Sequence, residues 1–366
     1  MFFKTLIVPG LLLSTHLSYA QELTLPENTT FRDYPKRDRL LIGGVKAIAP
    51  SQLHESVGLR VKISEEYQRT VREIEGDDIT INTPQTSADL SYGWNNLTIG
   101  LGLKYADSEI DSSGETGFKE DFINRELLTQ IAYTFGENIT VGAALDHNWL
   151  DVKESGDTYN KFEYQYNRII GSISYHTPKL EFGISHSGAV QESSQLDEGT
   201  RVATLSLAAN SNVDRRDIYL PAMTTVFGRG NFTDNFSMLS SISYANYDDN
   251  VRGSVFAFED ADTADLLAAK ITGVYWTTAR SHVSLAAEYK GGATVNNFDD
   301  ETLLGYRLGN TLGATLEGVY SIDRKIYLGG LISYLQGETD IDLEDNTSIS
   351  VDENTTRVGG FVAVKI

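Results

Sequence analysis

The chain has 366 residues, 51 acidic against 30 basic, giving a formal net charge of −21, and it contains no cysteine. Mean hydropathy is −0.25, and after the N-terminal leader no window approaches the roughly 20 apolar residues of a spanning helix, which excludes a helical membrane protein. The acidic balance excludes nucleic acid as a partner, because phosphate contacts need a basic face. The missing thiols exclude disulfides, thiolate zinc, iron–sulfur clusters and cysteine nucleophiles.

Residues 1–20 read as a secretory signal peptide. Lys4 is the positive start, Leu6-Ile7-Val8 and Leu11-Leu12-Leu13 are the short apolar region, and Ser18-Tyr19-Ala20 puts small residues where a signal peptidase reads. The mature chain then begins at Gln21, and no cysteine follows to carry a lipid anchor. Residues 21–54 form an N-terminal extension with Pro26, Pro35 and Pro50 and a basic cluster of Arg32, Lys36, Arg37 and Arg39. It is either a plug inside the fold, its cations meeting interior carboxylates, or a periplasmic tail.

From about residue 55 to 366 the chain repeats strands of period two. In Leu97-Thr98-Ile99-Gly100-Leu101-Gly102-Leu103-Lys104-Tyr105, every odd position is large and apolar and every even one is small or polar. The pattern recurs in Ile139-Val141-Ala143-Leu145, Leu180-Phe182-Ile184, Val283-Leu285-Ala287-Tyr289 and Ile326-Leu328-Ile332-Tyr334. The second face is small, as in Thr140-Gly142-Ala144 and Gly309-Thr311-Gly313-Thr315, which suits the concave wall of a closed barrel. Aromatic residues mark both strand ends, with Tyr92, Trp94, Tyr133, Phe135, Tyr175 and Tyr320 at one and Tyr105, Trp149, Tyr244, Tyr289 and Tyr334 at the other. Such rings suit the two membrane interfaces, where the ring stays apolar and the hydroxyl stays wet.

Connections alternate between tight turns and long acidic loops. Turns centre near residues 95, 137, 178, 234, 280 and 324, while 107–124 holds six acidic residues against one lysine and 337–354 holds seven and no basic one. Turn spacings of 41 to 56 residues, extended back to the alternation that starts near Val57, give seven hairpins. The expected fold is therefore an all-β, transmembrane antiparallel β-barrel of about fourteen strands with a short N-terminal plug or tail. The extra run Arg201–Ala209 is placed in an extracellular excursion; if it spans instead, Gly253–Phe258 joins it and the count is sixteen.

The segment Tyr219-Leu220-Pro221-Ala222-Met223 leads into Val226-Phe227-Gly228, the turn Thr233-Asp234-Asn235 and the strand Phe236–Tyr247. With the strand count and the N-terminal extension, this resembles the FadL/TodX family of outer-membrane hydrophobic-compound channels. The resemblance implies an outer-membrane location and passive uptake of a hydrophobic molecule. It also implies capture at the extracellular face and release sideways through the wall into lipid. Phe118, Phe122, Leu303 and Leu304, apolar residues in acidic loops, are the capture candidates.

Keeping the phase of each strand, Arg60, Lys62, Asp89, Lys104, Asp146, Glu181, Lys270, Glu288, Lys290, Glu317 and Arg357 point inward. Lumenal charges of both signs either pair and fill space or select small polar solutes, so a diffusion porin is the second functional reading. A structural or surface-interaction barrel is the third. The partners expected are outer-membrane lipid, lipopolysaccharide and one small hydrophobic or polar solute, and the pattern specifies no oligomeric state. Enzymatic activity is not expected: in Ser185-His186-Ser187 alternation sends the His outward and both serines inward, so base and nucleophile diverge. No metal or other cofactor is expected, since the acidic loops lack the ligand spacing of a dedicated calcium loop.

Overall fold

The computed structural model describes residues 49–55, 58–74, 77–112, 119–155, 160–177, 179–193, 195–196, 217–220, 222–233 and 235–246. It further describes 262–263, 266–278, 280–291, 294–296, 305–307, 311–322, 325–342 and 348–365. The expected signal peptide, most of the expected N-terminal extension, Arg201–Ala209, Gly253–Phe258, Phe118, Leu303 and Leu304 lie outside these residues.

Fourteen strands close into one antiparallel barrel. They are β1 (Gly58–Ile74), β2 (Asp77–Trp94), β3 (Leu97–Ser112), β4 (Lys119–Phe135), β5 (Ile139–Ser155), β6 (Asn160–His176) and β7 (Leu180–Ser187). The second half comprises β8 (Ala222–Thr233), β9 (Phe236–Asn246), β10 (Leu266–Trp276), β11 (Ser281–Gly291), β12 (Thr311–Ser321), β13 (Ile326–Asp342) and β14 (Ser348–Lys365). Each strand pairs with its neighbours in sequence, and β1 closes the ring: Lys62 lies opposite Asp89 of β2 and Ala363 of β14. Closure satisfies every wall strand on both sides, which a wall in lipid requires because no water is there to replace a missing partner.

Six tight turns fall at one end, where local chemistry permits them, and only the two-residue connection from Ile74 to Asp77 falls at the other. Asn95 adopts φ 53°, a left-handed conformation that Asn tolerates, and Gly136 adopts φ 62°, where a side chain would be strained. At the β6–β7 turn Thr177 N donates to Leu180 O at 2.7 Å, and at the β12–β13 turn Ile322 N donates to Ile326 O at 2.9 Å. The opposite end carries the long connections. Strands β4, β5 and β6 have 17 residues each, well beyond the roughly 9–11 that cross a bilayer, so they continue past it on the loop side. There, Val190–Ser193 pairs with Asp217–Leu220, and Gln195–Leu196 adds to β6.

The alternation decides which side chains meet lipid. Leu285 is 61% exposed, and Ile99, Leu103, Ile131, Leu145, Ile242 and Ile332 are exposed on the same outer face. An exposed apolar band of this extent is the surface that a bilayer covers. It is bounded at the turn end by Tyr92, Trp94, Tyr133, Phe135, Tyr175 and Tyr320. At the loop end Tyr67 and Tyr334 donate their hydroxyls to Asn82 Oδ1 and Asn354 Oδ1, both at 2.7 Å, pinning the phenols between apolar and wet zones.

Candidate functional site

The inner face is built from one phase of each strand, even on seven strands and odd on the other seven, and hydroxyls dominate it because they are small and can satisfy one another. Ser64 Oγ meets Ser87 Oγ at 2.5 Å, Thr70 Oγ1 meets Thr355 Oγ1 at 2.8 Å, and Thr225 Oγ1 meets Ser243 Oγ at 2.8 Å. Thr315 donates to Ser333 Oγ at 2.9 Å. Each is a cross-strand pair, the unit that holds a sheet register.

The charged residues expected inside fall on this face. Asp89 is 3% exposed, Lys104 7%, and Glu288 and Glu317 are buried; Arg60, Lys62, Asp146, Lys270, Lys290 and Arg357 are half-buried on the same phase. The structure brings several of them together. Lys270 Nζ lies 3.6 Å from Glu288 Oε2 on the neighbouring strand, and Arg357 Nη1 lies 3.7 Å from Glu66 Oε2. Lys62 Nζ stands 4.6 Å over the centre of the Phe361 ring. Lys62, Glu66, Lys270, Glu317 and Arg357, with Phe361, line one small cavity whose total space is about 430 Å³, open margins included. Asp89 and Lys104 lie on β2 and β3 of the wall, and Asp146 on β5.

One further pair joins the inward Glu181 to an arginine absent from the expected inward charges. Arg229 Nη1 on β8 lies 3.5 Å from Glu181 Oε2 on β7, with side chains 5% and 1% exposed. Arg168, also buried, donates from Nε to Gly188 O at 3.3 Å where the β6–β7 ladder ends.

The N-terminal segment enters this interior. Pro50–Glu55 forms a 3-10 helix, and Ala49, Ser51 and Gln52 are buried. Ser51 N donates to Ser172 Oγ of β6 at 2.8 Å. A methyl at Gly142 of β5 would lie 2.4 Å from Ser51 N and 2.5 Å from the Pro50 carbonyl carbon, so only glycine admits so close an approach. On the far side Ala49 packs with Phe227 of β8 and Ala268 of β10, and Met223 borders them. Residues 49–52 therefore stretch across the lumen from β5 and β6 to β8 and β10.

Large apolar side chains also occupy the inner face. Trp276, Val274 and Leu239 form one cluster, and Val319, Tyr327 and Phe361 another. The buried His282 ring lies 4.7 Å from that of Trp276. Reading only the small residues of the second face missed them. The signal that would have found them is the apolar doublet, because period two sends one member of each pair inward: Val226-Phe227, Tyr275-Trp276, Val319-Tyr320, Tyr327-Leu328 and Phe361-Val362.

Ser185 and Ser187 are buried on the inner face, whereas His186 is exposed outside and shares a hydrogen bond with Thr224 Oγ1 at 2.9 Å. Among the described residues no group of three or more His, Asp or Glu is placed to hold a metal ion. Of the capture candidates, Phe122 lies in β4, opposite Ser108 and Val152.

No protein-family model matches the chain, and no curated protein matches its sequence. Solved structures do match. A FadL homologue of Pseudomonas aeruginosa superimposes with TM-score 0.66 at 9% identity, covering 93% of this chain and 96% of that one. The toluene transporter TodX of Pseudomonas putida gives TM-score 0.61 at 11% identity, covering 94% and 97%. The CymD monoaromatic hydrocarbon channel gives 0.58 at 14%, covering 89% and 93%. The fold is that of these proteins over nearly the full length of both chains.

Proposed function

We propose that the protein is an outer-membrane channel for passive uptake of hydrophobic compounds. The observation that carries this reading is the closed lumen. A diffusion porin needs a continuous aqueous path, whereas here the inner wall is buried and residues 49–52 cross the interior. A lumen closed by protein and lined partly by Phe227, Leu128, Ala132 and Ala144 suits apolar cargo, which loses nothing by leaving water for a dry path. The similar structures support the same class, since TodX is a toluene transporter and CymD a monoaromatic hydrocarbon channel.

In this reading chain export depends on residues 1–20, the barrel sits in lipid and lipopolysaccharide, and Phe118, Phe122, Leu303 and Leu304 capture the solute at the cell surface. No chemistry is done on the cargo. The polar outer leaflet resists apolar solutes, and the protein shields them across it. The test is uptake by cells lacking the protein and by the same cells expressing it. Expression should accelerate entry of radiolabelled toluene or oleate and leave entry of a hydrophilic sugar unchanged. Faster sugar entry with unchanged hydrophobic uptake would overturn the reading in favour of a porin.

A further inference from the structure

The lumen is closed by two structures of opposite character, standing on different parts of the wall. Residues 49–52 sit against β5 and β6, held by Ser172 and seated on Gly142. The lining beside them on β4 and β5 mixes Leu128, Ala132 and Ala144 with the uncharged polar side chains of Gln130, Thr140 and Asn148 and the charge of Asp146. The arc from β10 round to β1 closes differently. There Lys270 and Glu288 pair across β10 and β11, Arg357 reaches Glu66 between β14 and β1, and Glu317 of β12 and Lys62 complete the same cavity wall.

Glycine shapes this second closure. A side chain at Gly359 would collide with Glu66 Cγ at 2.5 Å, and one at Gly329 with the Phe361 ring at 2.1 Å. Glu66 and Phe361 therefore lie flat on side-chain-free patches of the wall. Gly313, likewise, has Glu288 Cγ at 3.1 Å from where its Cβ would stand. Six ionisable groups, three of each sign, are packed here with their charges matched. A passing ion finds no uncompensated charge to replace its hydration shell, and entry demands breaking buried pairs.

We propose that Lys62, Glu66, Lys270, Glu288, Glu317 and Arg357 form a fixed ion-pair barrier that keeps ions and hydrophilic solutes out of the lumen when the N-terminal segment leaves its seat. This rests on the hydrophobic-channel reading and adds a division of labour to it. Displacing residues 49–52 opens a passage beside Leu128, Ala132, Ala144 and Phe227, while the charged side stays shut. Apolar cargo then crosses without an accompanying leak.

A four-way comparison of planar-bilayer conductance tests this, using the parent, Gly142→Leu, the cluster variant Glu66→Ala/Lys270→Ala/Glu288→Ala/Arg357→Ala, and their combination. Because the chain has no cysteine, Ser51→Cys in each form reports by maleimide labelling whether the segment has left its seat. If Gly142→Leu leaves the introduced thiol protected, deletion of 49–55 replaces it. The barrier predicts that Gly142→Leu stays near the parent conductance and that the combination exceeds both by at least about tenfold. If the segment is displaced and conductance already reaches the level of the combination, or if the combination stays closed, the barrier is refuted.

Two further measurements guard against misfolding of the cluster variant. The exchanged pair Lys270→Glu/Glu288→Lys in the Gly142→Leu chain should remain closed. Raising salt to about 1 M should increase its conductance no more than the bulk conductivity rises, because buried pairs are screened little. Hydrophobic uptake is read separately: it persists if only the barrier proposal fails, and it is absent if the channel reading itself fails.

Discussion

Ser51 donates its backbone N–H to Ser172 Oγ at 2.8 Å, across 121 residues of sequence. This bond ties the segment preceding the first wall strand to the interior of β6. Together with the Pro50–Gly142 contact it places residues 49–52 in the lumen. A solute crossing the barrel on this side has to displace them.

Replacing Gly142 with Leu therefore unseats the segment without touching the ladder between β4 and β5. In a Ser51→Cys background, labelling by a membrane-impermeant maleimide should accelerate by at least about tenfold, matching loss of roughly 1.4 kcal/mol or more of seating free energy. Heat-modifiable gel mobility should be retained, showing that the barrel still closes. Unchanged labelling would show that the seat is not at Gly142.

The outer belt makes a second prediction. Leu285 faces lipid in mid-strand, so Leu285→Arg should lower folding stability in phospholipid vesicles by about 2–4 kcal/mol. Chemical-denaturation equilibria in vesicles measure this. A loss below about 0.5 kcal/mol, the range of an ordinary exposed site, would place Leu285 away from the bilayer centre.

Much of this arrangement is legible in the sequence, because alternation, tight turns and aromatic ends are local. Leu97 to Tyr105 declares its lipid face within nine residues, and Asn95 and Gly136 mark turns by their own backbone preferences. The phase that sends Leu285 outward also sends Lys104 and Glu317 inward, so charges on the inner face can be read from the strand alone. Which charges meet cannot. Glu66 and Arg357 are separated by nearly the whole chain and become neighbours only because β1 and β14 close the ring. The seat on Gly142 is invisible for the same reason: a glycine on the inner face looks like any other small residue until Pro50 arrives against it. The large inner side chains were obscured by their lipid-facing neighbours, since Val226 and Tyr275 account for the apolar signal that Phe227 and Trp276 share.

The Arg229–Glu181 pair supplies a third prediction. Both side chains are almost wholly buried, so removing one charge strands the other. Glu181→Gln should cost about 3–5 kcal/mol, whereas Glu181→Leu combined with Arg229→Met should cost far less or stabilise. Stability measured for the two single variants and the double variant decides it. Additive losses would mean that the two groups are not coupled.

The loop-side tyrosines give a fourth. Tyr67→Phe and Tyr334→Phe each remove one hydrogen bond to an asparagine while leaving the ring in the interface. Each should cost about 0.5–1.5 kcal/mol of folding free energy in vesicles, and Asn82→Ala should not add to the loss from Tyr67→Phe. A larger loss in the Tyr67→Phe, Asn82→Ala double variant than in either single one would separate the two groups.

The central claim is a barrel whose lumen is closed to water-borne solutes by its own chain, and a planar-bilayer recording of the full-length protein tests it most directly. The account predicts near silence, with none of the steady current of an open porin. A stable ohmic conductance that scales with bulk salt would contradict it.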